Sequence, residues 1–301
     1  MSQQMSELDE DYFTTLNLFT ATYHRDVYDA INPKNPRLSQ AGKVIVITGA
    51  SSGIGKEAMA MSFAKAGAKA LYLIARSQDG LDKTRELVLS INSNVKVFTK
   101  AMSITDEDAV RELFLQISSE YGKADVLINC AGIGSGGPFL TAPVADIWRD
   151  FEVNVKGTII MSQYFAKALG KADKGRIINI ASSFGPFMAP DTDSYALSKL
   201  VQIQMQRYIT AGNPNIFAAS LHPGSVRTAM TAPDWVRFSK DTPSLAGGAA
   251  VWLSSAEADF MNGRYLDASW DVPELIEKKE DIIQKGLLLM ELRGDFTRGK
   301  E

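Results

Sequence analysis

VIVITGASSGIG, residues 44–55, decides the fold. Its first five residues are apolar or β-branched with no polar alternation, the mark of a strand buried on both faces. Gly49, Gly53 and Gly55 follow at once, ahead of a segment in which Ala58, Met61, Ala64 and Ala68 recur at helical spacing. Strand, glycine-rich turn and helix in that order make a seat for a phosphate. Glycine lets the backbone approach the anion, and the helix start offers unpaired N–H groups and a positive dipole end. Thr48, Ser51, Ser52 and Ile54 fill the rest of the turn, so residues 48, 49 and 51–55 are the first candidate cofactor contacts.

Working outward, ALYLIA (70–75), VKVFT (95–99), DVLINCAG (125–132), RIINIAS (176–182) and NIFAASLHPG (215–224) read as further buried strands. The spacers are long enough for crossover helices. Val110, Leu113, Phe114 and Ile117 mark one of them, with Asp106 placed to cap its start and Gly122 near its end. The expected architecture is α/β: a Rossmann-type, doubly wound parallel sheet in three layers, as a single domain. In such folds an acidic residue holds the adenosine ribose roughly 20 positions past the glycine loop. Here the sequence is IARS; Ala75 takes the acidic position and Arg76 follows. A guanidinium suits a 2′-phosphate that a carboxylate would repel, which favours NADP(H) over NAD(H).

Composition narrows the classes further. The chain has 301 residues, 45% apolar and 22% charged, close to the globular average. Thirty-two basic against 35 acidic residues leave a net charge of −3 with no long basic run, which argues against an electrostatic grip on nucleic acid or anionic lipid. Cys130 is the only cysteine, and His24 and His222 are the only histidines. An intrachain disulfide and a Cys/His zinc cluster are therefore excluded, and no metal is expected. No apolar stretch approaches the roughly 18 residues of a membrane span, and MSQQMSELDEDY is a polar, acidic start. A soluble, cytoplasmic protein acting on a small molecule is the expectation.

Tyr195 and Lys199 stand four apart in SYALSK, on one face of an expected helix. An ammonium beside a phenol stabilises the phenolate, so the pair is suited to proton transfer. Ser182 ends the strand RIINIAS at its carboxyl side, where ligands gather in open α/β sheets, and could hydrogen-bond a carbonyl. Ser183 is its neighbour and rival, because the pleat turns only one of the two toward a cleft.

These residues together resemble the short-chain dehydrogenase/reductase family over about residues 42–270. TGASSGIG resembles its TGxxxGxG loop, INCAG (128–132) its NNAG segment, Asn154 in VNVKG its active-site asparagine, Ser182 its serine, and Tyr195 with Lys199 its YxxxK pair. PGSVRT (223–228) resembles the Pro-Gly segment beside the nicotinamide. The resemblance implies cofactor contacts from Asn129, Ala131, Gly132, Tyr195, Lys199, Pro223, Gly224, Val226 and Thr228. It also implies hydride exchange with a carbonyl or alcohol: Tyr195 gives the proton, Ser182 orients the oxygen, Lys199 tunes the tyrosine, and Asn154 supports a water chain to the lysine. Two positions depart from the pattern. Cys130 replaces the second asparagine of NNAG, and Ser103 stands where an aspartate usually meets adenine. A ketoreductase using NADPH is the favoured reading. Its rivals are a relative without net redox turnover, such as an isomerase, dehydratase or cyclase, and a non-catalytic NADPH-binding protein. The family's habits imply a homodimer or homotetramer.

The segment 229–248 is the expected substrate lid, with Trp235 and Phe238 either facing an apolar substrate or anchoring the lid. Phe184, Phe187 and Met188 are candidates for the opposite wall. Residues 1–41 and 271–301 fall outside the alternation as N- and C-terminal extensions. INPKNP (31–36) reads as a strap on the domain, and 273–293 as a helical run packing through Leu275, Ile276, Ile282 and Ile283. TATYHRDVYDAINP and WDVPELIEKKEDIIQKGLLLMELRG look similar to extensions of fungal members, often encoded with secondary-metabolite pathways, which implies a polyketide- or alkaloid-like carbonyl substrate. His24 is expected to pack or face solvent, and His222 to position the Pro-Gly turn.

Overall fold

The computed structural model describes residues 7–188, 192–292 and 294. Seven strands form one sheet: β1 (Val44–Thr48), β2 (Ala70–Ala75), β3 (Lys96–Ala101), β4 (Val126–Asn129), β5 (Gly175–Ile180), β6 (Ile216–His222) and β7 (Tyr265–Asp267). Every neighbouring pair is parallel and the order is β3-β2-β1-β4-β5-β6-β7. The chain therefore winds outward from β1 in both directions. Crossover connections leave a crevice between β1 and β4 at their carboxyl ends, where such sheets bind ligands.

The α-helices in chain order are α1 (Tyr12–Thr15), α2 (Met61–Lys65), α3 (Gln78–Ile91), α4 (Glu107–Tyr121), α5 (Val144–Phe151), α6 (Thr158–Ala168), α7 (Asp193–Gly212), α8 (Pro243–Leu253), α9 (Val272–Glu277) and α10 (Lys279–Gln284). Pleat alternation divides the core between the two sheet faces. Ile45 and Ile47 pack with Phe63 of α2 and Trp252 of α8, whereas Val44 and Val46 pack with Phe114 of α4 and Phe165 of α6. The α4 cap is as its sequence indicates: Asp106 accepts from Ala109 N at 3.1 Å, and Gly122 follows the last turn at φ 82°.

Four elements differ from the sequence expectation. β3, read as a strand buried on both faces, lies at the edge of the sheet and has no buried residue. β7 has no counterpart in the sequence reading, because YLD is too short to display any periodicity. DVLINCAG pairs only as far as Asn129, since the next two amides, of Cys130 and Ala131, turn to donate to Thr48 Oγ1 at 3.0 Å each. The run 273–293 is not one helix but α9 and α10, stopped where Gly286 and Leu288 both take φ 61°. Leu275 and Ile282 are buried as expected, but Ile276 and Ile283, one residue further round the helix, are 37% and 53% exposed. Residues 1–6, 293 and 295–301 of the two extensions lie outside the described residues.

The N-terminal segment is built into the domain. Ile31 and Leu38, on 3-10 turns either side of the prolines, are fully buried. A Cβ on Gly248 of α8 would stand 2.6 Å from Ile31 O, so the strap needs glycine there. Tyr23 pairs antiparallel with Trp270, and Tyr28 OH accepts from Val272 N at 2.8 Å. Glu274 accepts from Ala21 N and Thr22 N, which holds its carboxyl well below the usual range. His24 stacks on Tyr28 at 3.5 Å and bonds Asp271 at 2.8 Å, the packing role expected of it.

Candidate active site

The glycine loop after β1 closes on itself so tightly that side chains are barred. A Cβ on Gly49 would lie 2.8 Å from Ala131 Cα, and one on Gly55 only 2.2 Å from Gly49 O. Gly55 is the second residue of a π-helical turn, Ile54–Ala60, that runs into α2. In front of it lies a cavity of about 360 Å³. Its wall takes in Gly49, Ser51, Ser52, Gly53, Ile54, Gly55, Arg76, Ser103, Ala131, Gly132, Tyr195, Lys199, Pro223 and Thr228, with no Asp or Glu among the described lining residues. A backbone cradle at a helix start fits the pyrophosphate of a dinucleotide. The departure at Ser103 is spent locally, its hydroxyl sharing a hydrogen bond with Thr105 at 2.8 Å.

A second cavity, about 640 Å³, adjoins the first. Ile54, Ala181, Tyr195, Pro223, Thr228 and Met230 line both, so Tyr195 stands at the junction. Its phenol is hydrogen-bonded to Ser182; burial pushes it up to about 12, against the pull of that bond. Of the two serines, then, Ser182 reaches the tyrosine. Ser183 instead donates its amide to His222 Nδ1 at 3.2 Å, so the histidine fixes the serine loop as well as leading into Pro223.

Lys199, one helical turn beyond Tyr195 on α7, is 4% exposed. Its ammonium donates to Ile180 O at 2.7 Å and to Gln202 Oε1 at 2.9 Å, and lies 5.6 Å from the centre of the Tyr195 ring. Burial lowers it to about 8. Gln202 is a site residue that the sequence motifs do not mark. Its Nε2 donates to Asn154 O at 2.7 Å and to Thr158 Oγ1 at 2.8 Å, so one amide links the lysine directly to the π-helical turn Glu152–Gly157. The resemblance placed a water chain between these groups. The only hint of Gln202 in the sequence is its position three residues after Lys199, on the buried face of the same helix.

The remaining candidates divide by where they point. Asn154 is buried and lines neither cavity; its side chain accepts from Ile133 N at 2.9 Å and donates to Ile133 O and Ser198 Oγ, pinning the loop beside Gly132. Thr48 holds the Cys130–Ala131 turn. Asn129 points away from the cavity, donating to Ser162 Oγ and Asn179 Oδ1, which differs from the contact expected of it. Gly224 and Val226 line the second cavity and not the first. Burial pushes the Cys130 thiol up to about 12, so it stays protonated. Phe184 and Trp235 line the second cavity, but Phe187 and Met188, at 37% and 99% exposed, do not; the chain turns outward after Phe184. Phe238 is 2% exposed and backs the wall.

Residues 43–236 match the short chain dehydrogenase family. The short chain dehydrogenase pigC of Monascus ruber is 31% identical over 277 residues, spanning 88% of this chain and 90% of its own. The short chain dehydrogenase andI of Emericella variicolor is 31% identical over 286 residues, 91% of this chain and 96% of its own. Among solved structures, a 7α-hydroxysteroid dehydrogenase complexed with NADH and 7-oxo glycochenodeoxycholic acid superposes with a TM-score of 0.70. It is 29% identical and covers 81% of this chain and 97% of that one. A Beutenbergia cavernae chain with bound NADP gives a TM-score of 0.69 at 27% identity, covering 77% of this chain and 97% of that one.

Proposed function

The chain belongs to the short-chain dehydrogenase family, and from that premise we propose that it is an NADP(H)-dependent ketoreductase. The observation that carries this reading is Tyr195 at the junction of the two cavities, bonded to Ser182 and beside the buried Lys199. When bound, the dinucleotide supplies the hydride that goes to the carbonyl carbon. Tyr195, whose raised pKa keeps it protonated at neutral pH, donates its proton to the carbonyl oxygen, a contribution of about 10²–10⁴-fold in rate. Ser182 donates a hydrogen bond to the same oxygen and orients it toward the phenol. Lys199 is charged at neutral pH and favours the phenolate left behind. Ile180 O and Gln202 hold that ammonium in place.

The preference for NADP(H) rests on Arg76 and on the absence of carboxylates among the described residues lining the first cavity. The solved relatives named above hold NADH in one case and NADP in the other, so the preference is argued from this chain's residues alone. The fungal origin of both named relatives supports a place in secondary metabolism. The exposed Val144 and Trp148 on α5, 67% and 68% exposed, support self-association as a homodimer or homotetramer. We place the reaction in the cytoplasm, where a lone thiol stays reduced. No helix among the described residues is long and apolar enough to cross a membrane.

The test is oxidation of reduced nucleotide over a panel of ketones, with NADPH and NADH in parallel. Consumption that depends on ketone, with kcat/KM for NADPH about tenfold or more above that for NADH, is expected from one charge-assisted phosphate contact. Nucleotide binding with no oxidation on any carbonyl would overturn the reductase reading.

A further inference from the structure

The second cavity is not completed by the family region. Its outer wall includes Phe13, thirty residues ahead of the matched segment, on the short helix α1. The Phe13 ring lies 4.8 Å from Trp235 and 4.9 Å from Phe238, and 6.3 Å from Phe184, which in turn lies 4.9 Å from Trp235. Phe238 is buried behind, so three partly exposed rings present one continuous aromatic surface.

Phe13 is held there by a built connection. Arg25 donates to Thr14 Oγ1 at 2.9 Å, to Asp11 Oδ1 at 2.7 Å and to Asp241 Oδ1 at 2.8 Å. The other oxygen of Asp241 accepts from Ser225 N at 2.5 Å, in the Pro-Gly loop that borders both cavities. One guanidinium thus ties the Phe13 turn to the loop beside Tyr195. Lys240 adds ion pairs to Glu10 and Asp11, and Arg237 donates to Leu8 O. The polar side chains of the wall are hydroxyls, the His222 imidazole and the Asp234 carboxylate, and neither Lys nor Arg is among its described lining residues. A carboxylated or phosphorylated substrate would meet no ammonium or guanidinium among them.

We infer that Phe13 is a specificity-determining residue, and that the wall it forms with Phe184 and Trp235 selects neutral, fused-ring aromatic ketones. The inference rests on the ketoreductase reading for the reaction, but not for the binding. Planar rings gain from offset or edge-on contact with this surface, and the volume is within the range of sites that enclose molecules of that size. A small aliphatic ketone has no ring to set against this surface.

The probes are 2-acetylnaphthalene and cyclohexanone, used with the full chain and its Phe13→Ala, Phe13→Leu and Phe13→Tyr variants. Phe13→Ala is expected to raise KM for the naphthyl ketone about 10-fold at little cost in kcat, as befits loss of one ring contact and its buried area. Cyclohexanone kinetics and NADPH affinity stay unchanged. Phe13→Tyr retains the naphthyl preference. Phe13→Leu keeps the bulk without the ring and falls between, which secures the test if the alanine variant does not fold. Equal losses on both ketones, or a naphthyl KM within twofold of the parent, overturn the inference. Equilibrium dialysis of 2-acetylnaphthalene against the nucleotide-bound protein measures the same ring contact without turnover. If no ketone is reduced yet the naphthyl ketone binds and Phe13→Ala releases it, the reaction reading fails and the aromatic site stands. Failure of the parent protein to bind it overturns the site.

Discussion

Replacing Lys199 by methionine separates what the lysine does for chemistry from what it costs the fold. Burial lowers its ammonium from 10.5 to about 8, so between those values the unfolded chain binds more protons than the folded one. Stability due to this group therefore rises with pH across that window, and the burial penalty is fully present below about pH 8. From pH 7 to pH 10 the parent should gain about 2 to 3 kcal/mol relative to Lys199→Met, which lacks the titration. The substitution also leaves Ile180 O and Gln202 Oε1 without their donor, at about 1–3 kcal/mol for each buried acceptor, but that cost does not vary with pH. The two effects roughly cancel at pH 7 and only the slope is diagnostic. At about 2–4 °C per kcal/mol, the gap in Tm between parent and variant should change by roughly 5–10 °C in the parent's favour over that range. Urea and thermal unfolding of both proteins, without nucleotide, measure it, while turnover of the variant is lost throughout. Unfolding curves that stay parallel from pH 7 to pH 10 would refute the reasoning, because the lysine would then titrate at its ordinary value.

Tyr195→Phe should keep NADPH binding and lose most ketone reduction, by about 10²–10⁴-fold; activity within a few-fold of the parent removes the tyrosine from the role of proton donor. Ketone reduction by the parent should decline above about pH 8, as Lys199 loses the charge that supports the phenolate, and a flat kcat to pH 10 would contradict this. Gln202→Leu removes an acceptor that favours the charged lysine, so this alkaline limb should move to lower pH, whereas Gln202→Glu should move it higher; identical shifts would show that Gln202 only packs. Gly55→Ala sets a methyl 2.2 Å from Gly49 O, so it should cost about 1–3 kcal/mol in urea unfolding and abolish measurable NADPH binding. Unchanged affinity would mean that the loop relaxes without consequence.

The parallel sheet was legible because most of its first six strands are dense apolar runs, the pattern that burial on both faces demands; β3, KVFTKA at the sheet edge, is the exception and has no buried residue. β7 carries three residues and escaped for lack of period. The catalytic residues were legible through fixed local spacings, in which Tyr195 and Lys199 share a helix face and Ser182 ends a strand. Choosing between Ser182 and Ser183 needed the third dimension, since the pleat says that one faces the cleft but not which. Gln202 and Phe13 were hidden for different reasons. A glutamine within a helix carries no signal until its buried partners are known, and Phe13 acts across more than two hundred residues of sequence to reach Trp235. The helical run read over 273–293 is interrupted at Lys278, between α9 and α10, and stops by Gly286 and Leu288, where the backbone changes hand despite a helical composition upstream.

The docking of residues 20–31 onto Trp270–Glu274 also sets an order of assembly. The strap leaves the ribosome roughly 240 residues ahead of the surface that receives it. At about 5–20 residues per second, roughly 10–50 s of synthesis separates the two. For most of that interval Ile31 has no α8 to bury against, and Phe13 has no lid to meet. Nascent chains halted before residue 270 should thus have a protease-sensitive strap, even after the first strands have paired.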